Sequence, residues 1–223
     1  MSPVIELAEL TAAHGRGAQA RRVLAPTSFC IERGESVAVI GRSGAGKSTL
    51  AEVVLGLRPP EQGHIIVDGE HWCSHRVRPA RKRRHLVQGV PQDPAAAFVP
   101  RWTLRRSIET AVRRLTGEAA TERTLHRAAE LAFLERELLD RRPTEVSGGQ
   151  AQRAAIARAI AAGPSVIVAD EPTSALDPVT AQGVSTALLA LVEQSDIALL
   201  LVTHDPAFAE RCTRIVTIVP PTA

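Results

Sequence analysis

The nine residues GRSGAGKST at 41–49 constrain this chain more than any other stretch. They fit the spacing G-x-x-x-x-G-K-[ST], with Gly41, Gly46, Lys47 and Ser48 at the fixed positions. An apolar run at 36–40 leads in, and a segment rich in Ala, Leu and Val at 47–57 leads out. The pattern predicts a strand, a glycine loop and a helix. Glycines let the main chain approach phosphate oxygens, so successive N–H groups and the helix start bind an anion. Gly41, Arg42, Ser43, Gly44, Ala45, Gly46, Lys47, Ser48 and Thr49 form the candidate cradle. Lys47 brings a compact charge to the β- and γ-phosphates, and the Ser48 hydroxyl can complete a Mg²⁺ shell. Composition sharpens the point: of 27 Lys and Arg, only positions 47 and 82 are Lys. An ammonium is kept where a planar guanidinium would not suit the loop. Binding of a nucleoside triphosphate follows.

The elements around this unit can be read in order. Residues 4–10 alternate as a half-exposed strand, 28–31 read as a second, and 64–67 enter a tight turn at Asp68-Gly69. These predict an antiparallel β layer. From 104 to 139 the spacing turns helical, through Leu104, Ile108, Val112 and Leu115 and then Leu125, Leu131 and Leu134. A helix over 150–162 is stopped by Gly163-Pro164. Runs at 166–169 and 198–203 are of the buried-strand type, with a helix over 178–193 between them. The whole predicts a parallel α/β core interrupted by helices. A chain of 223 residues supplies one good core, so a single domain is expected over 1–223. Within it, 1–91 and 163–223 form the nucleotide-binding core with its β layer, and 92–162 a helical subdomain.

The apolar run 197–202 is far too short to cross a bilayer, and the N-terminus lacks the basic and apolar stretches of a signal peptide. Cys30, Cys73 and Cys212 are few and scattered, which argues against a disulfide framework. A cytosolic setting is expected. A net charge of +3 is mild and does not indicate nucleic acid.

Asp170 and Glu171 end the run VIVADE, where ligand chemistry collects in α/β sheets. Asp170 is placed to hold Mg²⁺ directly or through water. Glu171 points elsewhere and can polarise an attacking water.

With VSGGQ at 146–150 and VTH at 202–204 added, nearly the whole chain resembles the ATP-binding subunit of an ABC transporter. The resemblance implies an α/β P-loop NTPase (RecA-like) core, an N-terminal antiparallel β layer and an inserted α-helical subdomain. It implies that Ser147, Gly149 and Gln150 open a helix whose N-terminus caps the γ-phosphate of ATP held by a partner subunit. Asp177, in SALD, resembles the D-loop that lines the opposite site, and His204 the switch histidine. Gln92 resembles the Q-loop glutamine, which senses Mg²⁺ and nucleotide and couples them to membrane subunits. Lys47, Glu171, His204 and Gln92 are thus the candidate catalytic set, and Ser48, Gln92 and Asp170 the metal set. Val146 replaces the usual Leu, and Pro91 before Gln92 is unusual. The chain has no Tyr. His14 stands where the family commonly stacks an aromatic residue on adenine, so it is either a weaker stacking partner or a loop residue.

The stretch QDPAAAFVPRWTL at 92–104 is similar to the QDP-x-x-SLNP-x-x-T segment of peptide, nickel and metal-chelate importers. Asp93, Pro94, Pro100 and Thr103 fit; Ala97, Phe98 and Val99 depart. This implies two transmembrane permease subunits, a second ATPase of the same or a different chain, and, indirectly, a substrate-binding protein. The chain would work at the cytoplasmic face of the membrane. It runs only briefly past 214–219, unlike oligopeptide subunits with a C-terminal extension, which favours nickel or metal-chelate import. Three other readings stay open. His71, Cys73 and His75 offer soft metal ligands or a hairpin loop. The six cations of 76–84 read as a solvated face near anionic lipid or a permease. A soluble relative acting on nucleic acid or ribosomes, or a regulatory cassette with poor hydrolysis, is the alternative in function.

Overall fold

The computed structural model describes residues 3–15 and 21–221. In chain order the elements are β1 (Ile5–His14), β2 (Arg21–Ile31), β3 (Ser36–Ile40), α1 (Lys47–Val54), β4 (Gln62–Val67), β5 (Glu70–Ser74) and β6 (Val87–Val90). There follow α2 (Leu104–Thr116), α3 (Glu122–Leu131), α4 (Gly148–Ile160), β7 (Val166–Asp170), α5 (Pro178–Gln194), β8 (Ala198–Val202), α6 (Pro206–Glu210) and β9 (Arg214–Thr217).

Two sheets result. One is antiparallel, in the order β2-β1-β4-β5; the other is parallel, in the order β6-β7-β8-β3-β9. The parallel strands are apolar throughout because both of their faces are covered. Val37, Val39, Leu200 and Val202 face a core shared with α1 and the antiparallel layer. Ala38, Ile167, Ala169, Leu199 and Leu201 face a second core shared with α2 to α5. The expected parallel core, β layer and helical insertion are therefore all present. Among the described residues no helix is long and apolar enough to cross a membrane.

Several boundaries move. β1 continues past Leu10 to His14, because a bulge at Glu9, with φ 49°, interrupts its alternation without ending its pairing. β2 begins at Arg21, seven residues before the expected Ser28. α1 stops at Val54 instead of 57, where Gly56 turns left-handed at φ 70°. The expected helical stretch 104–139 divides at Gly117, a left-handed cap with φ 84°, and α3 restarts on the Thr121 cap. Short β6, α6 and β9 add to the expected list.

Residues 70–74 form strand β5 and not a hairpin loop. Cys73 is buried on it, and burial pushes its thiol up to about 12. Its Sγ meets the Val53 carbonyl at 3.7 Å, His75 meets the Pro60 carbonyl, and the His71 ring lies beside His64 at 6.3 Å. The three soft ligands point at three different partners. In the basic run, Arg83 is spent on the carbonyls of His71 and Val67 and on Glu70, while Arg76, Arg78, Arg81 and Lys82 stay exposed.

Candidate functional site

Four adjacent parallel strands deliver the site. The phosphate loop leaves the carboxyl end of β3, His204 follows β8, Asp170 and Glu171 end β7, and Gln92 follows β6. Because the strands are parallel and in register, with Val39 opposite Val202, Asp170 opposite Val202 and Ala169 opposite Val90, these groups share one sheet edge.

The loop turns into α1 through Gly46, at φ 94°. A Cβ there would stand 2.3 Å from the Val23 carbonyl oxygen, so only glycine lets the loop lie this close to β2. No side chain caps α1, which leaves the first-turn N–H groups free of side-chain partners. Lys47 Nζ folds back on the loop and donates to the carbonyls of Gly41 at 2.9 Å and Arg42 at 3.2 Å. The ammonium is thus held on the loop itself.

The Ser48 hydroxyl donates to Asp170 Oδ1 at 3.3 Å. Burial holds the Asp170 carboxyl above the ordinary carboxylate range; the Ser48 bond opposes this, while neighbouring Glu171 and Glu52 reinforce it. A desolvated carboxylate among other acids, with a hydroxyl beside it, fits a hard cation such as Mg²⁺. Among the described residues no three His, Cys, Asp or Glu side chains converge, so other oxygen donors would complete a shell.

Glu171 sits at φ 49°, a left-handed conformation unusual for a residue with a side chain. Its N–H donates to the Val202 carbonyl at 2.9 Å, which ties the turn to β8. Its Oε2 meets His204 Nδ1 at 2.7 Å. Glu171 is mostly covered, whereas the His204 side chain is 70% exposed. The carboxylate thus orients the imidazole and leaves its other nitrogen facing outward.

The signature segment, VSGGQ at 146–150, is arranged differently. Ser147 caps α4: its Oγ accepts from Gln150 N at 3.3 Å, and Gln150 Oε1 accepts from Ser147 N at 2.9 Å. Gly149 lies against α5, where an added Cβ would fall 2.1 Å from Thr180 Cγ2. Asp177 caps α5 through Val179 N and Thr180 N, both at 3.1 Å. Hydrogen bonding from Thr180, side chain first, holds the Asp177 carboxyl below the usual range. Among the described residues, Ser147, Gln150 and Asp177 share no hydrogen bond with the phosphate loop, Asp170, Glu171 or His204.

Gln92 is exposed at the shared edge and hydrogen-bonds none of these groups among the described residues. His14 ends β1, and its Nε2 lies 3.4 Å from Thr49 Oγ1, so the imidazole stands at the phosphate loop. The packing adds one residue the sequence did not single out. Gln152 on α4 is fully buried, and its Nε2 donates to the Pro91 carbonyl at 2.9 Å, one residue before Gln92. A polar side chain among the alanines of α4 was the available signal.

The ABC transporter family matches residues 24–174. The nickel import ATP-binding protein NikE of Shigella boydii serotype 4 is 39% identical over 204 residues, which cover 90% of this chain and 76% of that protein. NikE of Escherichia coli strain K12 is 39% identical over the same shares. Among solved structures, the dimeric ATP-binding cassette MJ0796 bound to ADP and Pi superposes with a TM-score of 0.82 at 28% identity, over 96% of this chain and 94% of that one. CbiO1 from Clostridium perfringens shares the fold at a TM-score of 0.82 and 23% identity, over 100% of this chain and 88% of that one. A phosphate loop with its acid pair and histidine on one sheet edge, matched by family and by fold, means that this chain belongs to the ABC transporter family as a cassette that binds and hydrolyses ATP.

Proposed function

We propose that this cassette powers a nickel or metal-chelate importer, paired with a second cassette and two permeases at the cytoplasmic membrane face. A binding protein would hand over the cargo. The 39% identity to nickel import subunits supports the cargo class. Their import role gives no support to action on nucleic acid or ribosomes.

In this reading the loop 41–49 wraps the phosphates, and Lys47 swings from its own carbonyls to the β- and γ-oxygens. Ser48 and Asp170 would hold Mg²⁺, with Gln92 as a further oxygen donor; the ion supplies charge neutralisation on the phosphates. Glu171 orients the attacking water and accepts its proton. The new bond forms from that water to the γ-phosphorus as the bond to the β-phosphate oxygen breaks, and the free nitrogen of His204 meets the γ-phosphate. The α4 start, Ser147 to Gln150, closes on the γ-phosphate from the partner cassette, and Asp177 stands at the same interface. One chain carries both halves, so a second copy suffices to complete two sites. His14 lies against adenine.

The observation that carries this reading is the contrast between the groups gathered at one sheet edge and the signature helix capped only on itself. The test is uptake of ⁶³Ni²⁺ into vesicles holding this chain and its permeases. ATP-driven uptake that Glu171→Gln abolishes is expected; ATP-driven uptake of peptides without nickel would overturn the cargo.

A further inference from the structure

Two arginines near the end of α1 and beside β5 are answered by acids. Arg58 pairs with Glu52 at 2.8 Å, and Arg83 with Glu70 at 3.2 Å. The cations that follow β5 are not answered. Arg76, Arg78, Arg81 and Lys82 are exposed, and among the described residues none of their side chains has a hydrogen bond or an ion pair. Arg84 is exposed as well and donates only through Nε, to the Pro79 carbonyl at 3.3 Å. No Asp or Glu occurs between Glu70 and Asp93. Like charges gathered this closely repel one another until an anion neutralises them.

The backbone holds this segment in place. Ser74 and Val77 exchange both main-chain hydrogen bonds, at 2.9 and 3.3 Å, which closes a turn at the end of β5 with Arg76 inside it. A short 3₁₀ helix, Arg81–Leu86, carries the next cations. The end of α1 packs on the same segment, since a Cβ on Gly56 would stand 2.3 Å from Pro79 Cγ. Leu57 is anchored through its N–H on the Glu52 carbonyl at 3.0 Å, yet its side chain is 69% exposed. Val77 is 48% exposed. Leu57, Arg78 and Arg84 border one open hollow of about 400 Å³ that no acid lines. Anchored apolar side chains in water beside unpaired cations suit a partner that is both anionic and apolar.

An anionic bilayer has both properties, with phosphates at its surface and hydrocarbon beneath. Single-stranded nucleic acid would ask for stacking rings beside the cations. Trp72 is buried, and the His75 ring is tied to the Pro60 carbonyl at 3.3 Å. We propose that this patch rests on a membrane surface, with Arg76, Arg78, Arg81 and Lys82 on the phosphates of anionic lipids and Leu57 and Val77 entering the interface. The proposal deepens the membrane-face part of the proposed function. Its test needs neither nickel nor permeases, so it holds or fails independently of the uptake assay.

The test floats the free full-length chain with vesicles of phosphatidylcholine alone or mixed with phosphatidylglycerol. Capture by the mixed vesicles only, weakening as salt is raised, is expected. Each cation near an anionic surface adds about fivefold to binding. Arg76→Gln, Arg78→Gln, Arg81→Gln and Lys82→Gln together should therefore weaken capture about 100-fold or more. The same four positions all as Lys should keep most of it, because the field of a bilayer reads charge and not the guanidinium fork. Leu57→Ser with Val77→Ser should weaken capture about tenfold with its salt dependence unchanged. None of these variants should alter the melting temperature or the ATPase rate of the free chain, since the six side chains lie outside the phosphate loop and its partners. Equal capture by neutral and anionic vesicles, or equal capture of wild type and the four-Gln variant, would overturn the proposal. So would glycerol phosphate displacing the vesicles at micromolar concentration, which would make the patch a free-phosphate site. A single-stranded RNA bound more tightly than the vesicles through the same four cations would overturn it in favour of nucleic acid.

Discussion

The two helix starts that face phosphate in this reading, at α1 and α4, are built in opposite ways. α1 opens on a left-handed glycine with no side-chain cap, and Lys47, Ser48 and Asp170 crowd around it. α4 opens on a closed Ser147–Gln150 box that satisfies two N–H groups, those of Ser147 and Gln150. An uncapped start is costly in isolation and makes sense where an anion arrives to cap it. A capped start is stable alone and can wait for its ligand. In the proposed function, one chain thus carries a nearly assembled half-site and a separate, self-capped helix start that would serve as the lid for another.

Substitutions on both sides press on that comparison. The largest effect belongs to the α1 side. Glu171→Gln should keep ATP binding but cut turnover about 10²-fold or more, the scale of lost general-base assistance, in a phosphate-release assay. Wild-type turnover would remove Glu171 from the chemistry. On the α4 side, Gly149→Ala should cost about 1–3 kcal/mol in urea unfolding, because its methyl meets Thr180 Cγ2. Adding Thr180→Ser, which deletes that methyl, should recover most of the loss. Ser147→Ala should cost about 1 kcal/mol by removing the cap, with little change in ATP binding by the free chain. If the free chain lost ATP binding, both halves would act within one chain. The smallest effect is expected at His14. Replacing it with Trp should tighten ATP binding several-fold and Ala should loosen it, since stacking on a base is worth ~1–3 kcal/mol and imidazole offers less of it. Equal affinities in a fluorescence titration would leave His14 as a loop residue.

The α1 half was almost wholly legible in the sequence. The loop, Asp170, Glu171 and His204 each follow an apolar run, and a parallel sheet gathers such run ends at one edge. The pairing of Glu171 with His204 was not legible, because it depends on a left-handed Glu171 and joins residues 33 positions apart on neighbouring strand ends. Strand β6, VQGV, escaped notice because it is short and carries a glycine, and β9, RIVT, because it is a mostly exposed edge. The helical spacing carried α1 on to Leu57, since a glycine turn hides inside an apolar pattern. Gln152 was not singled out, although it is a polar residue among the alanines of α4; packing shows it buried and tied to Pro91. Asp177 was legible as a motif residue, but its carboxylate is engaged on α5.

The most direct measurement mixes two variants. Lys47→Ala breaks the α1 half, and Ser147→Asp keeps a capping residue at α4 while setting a negative charge where phosphate would sit. Each variant alone should hydrolyse ATP poorly. Mixed in equal amounts, they should regain activity, because every mixed pair contains one site with both halves intact. A mixture as inactive as its components, at concentrations where wild type is active and paired, would contradict completion of the site by a second copy.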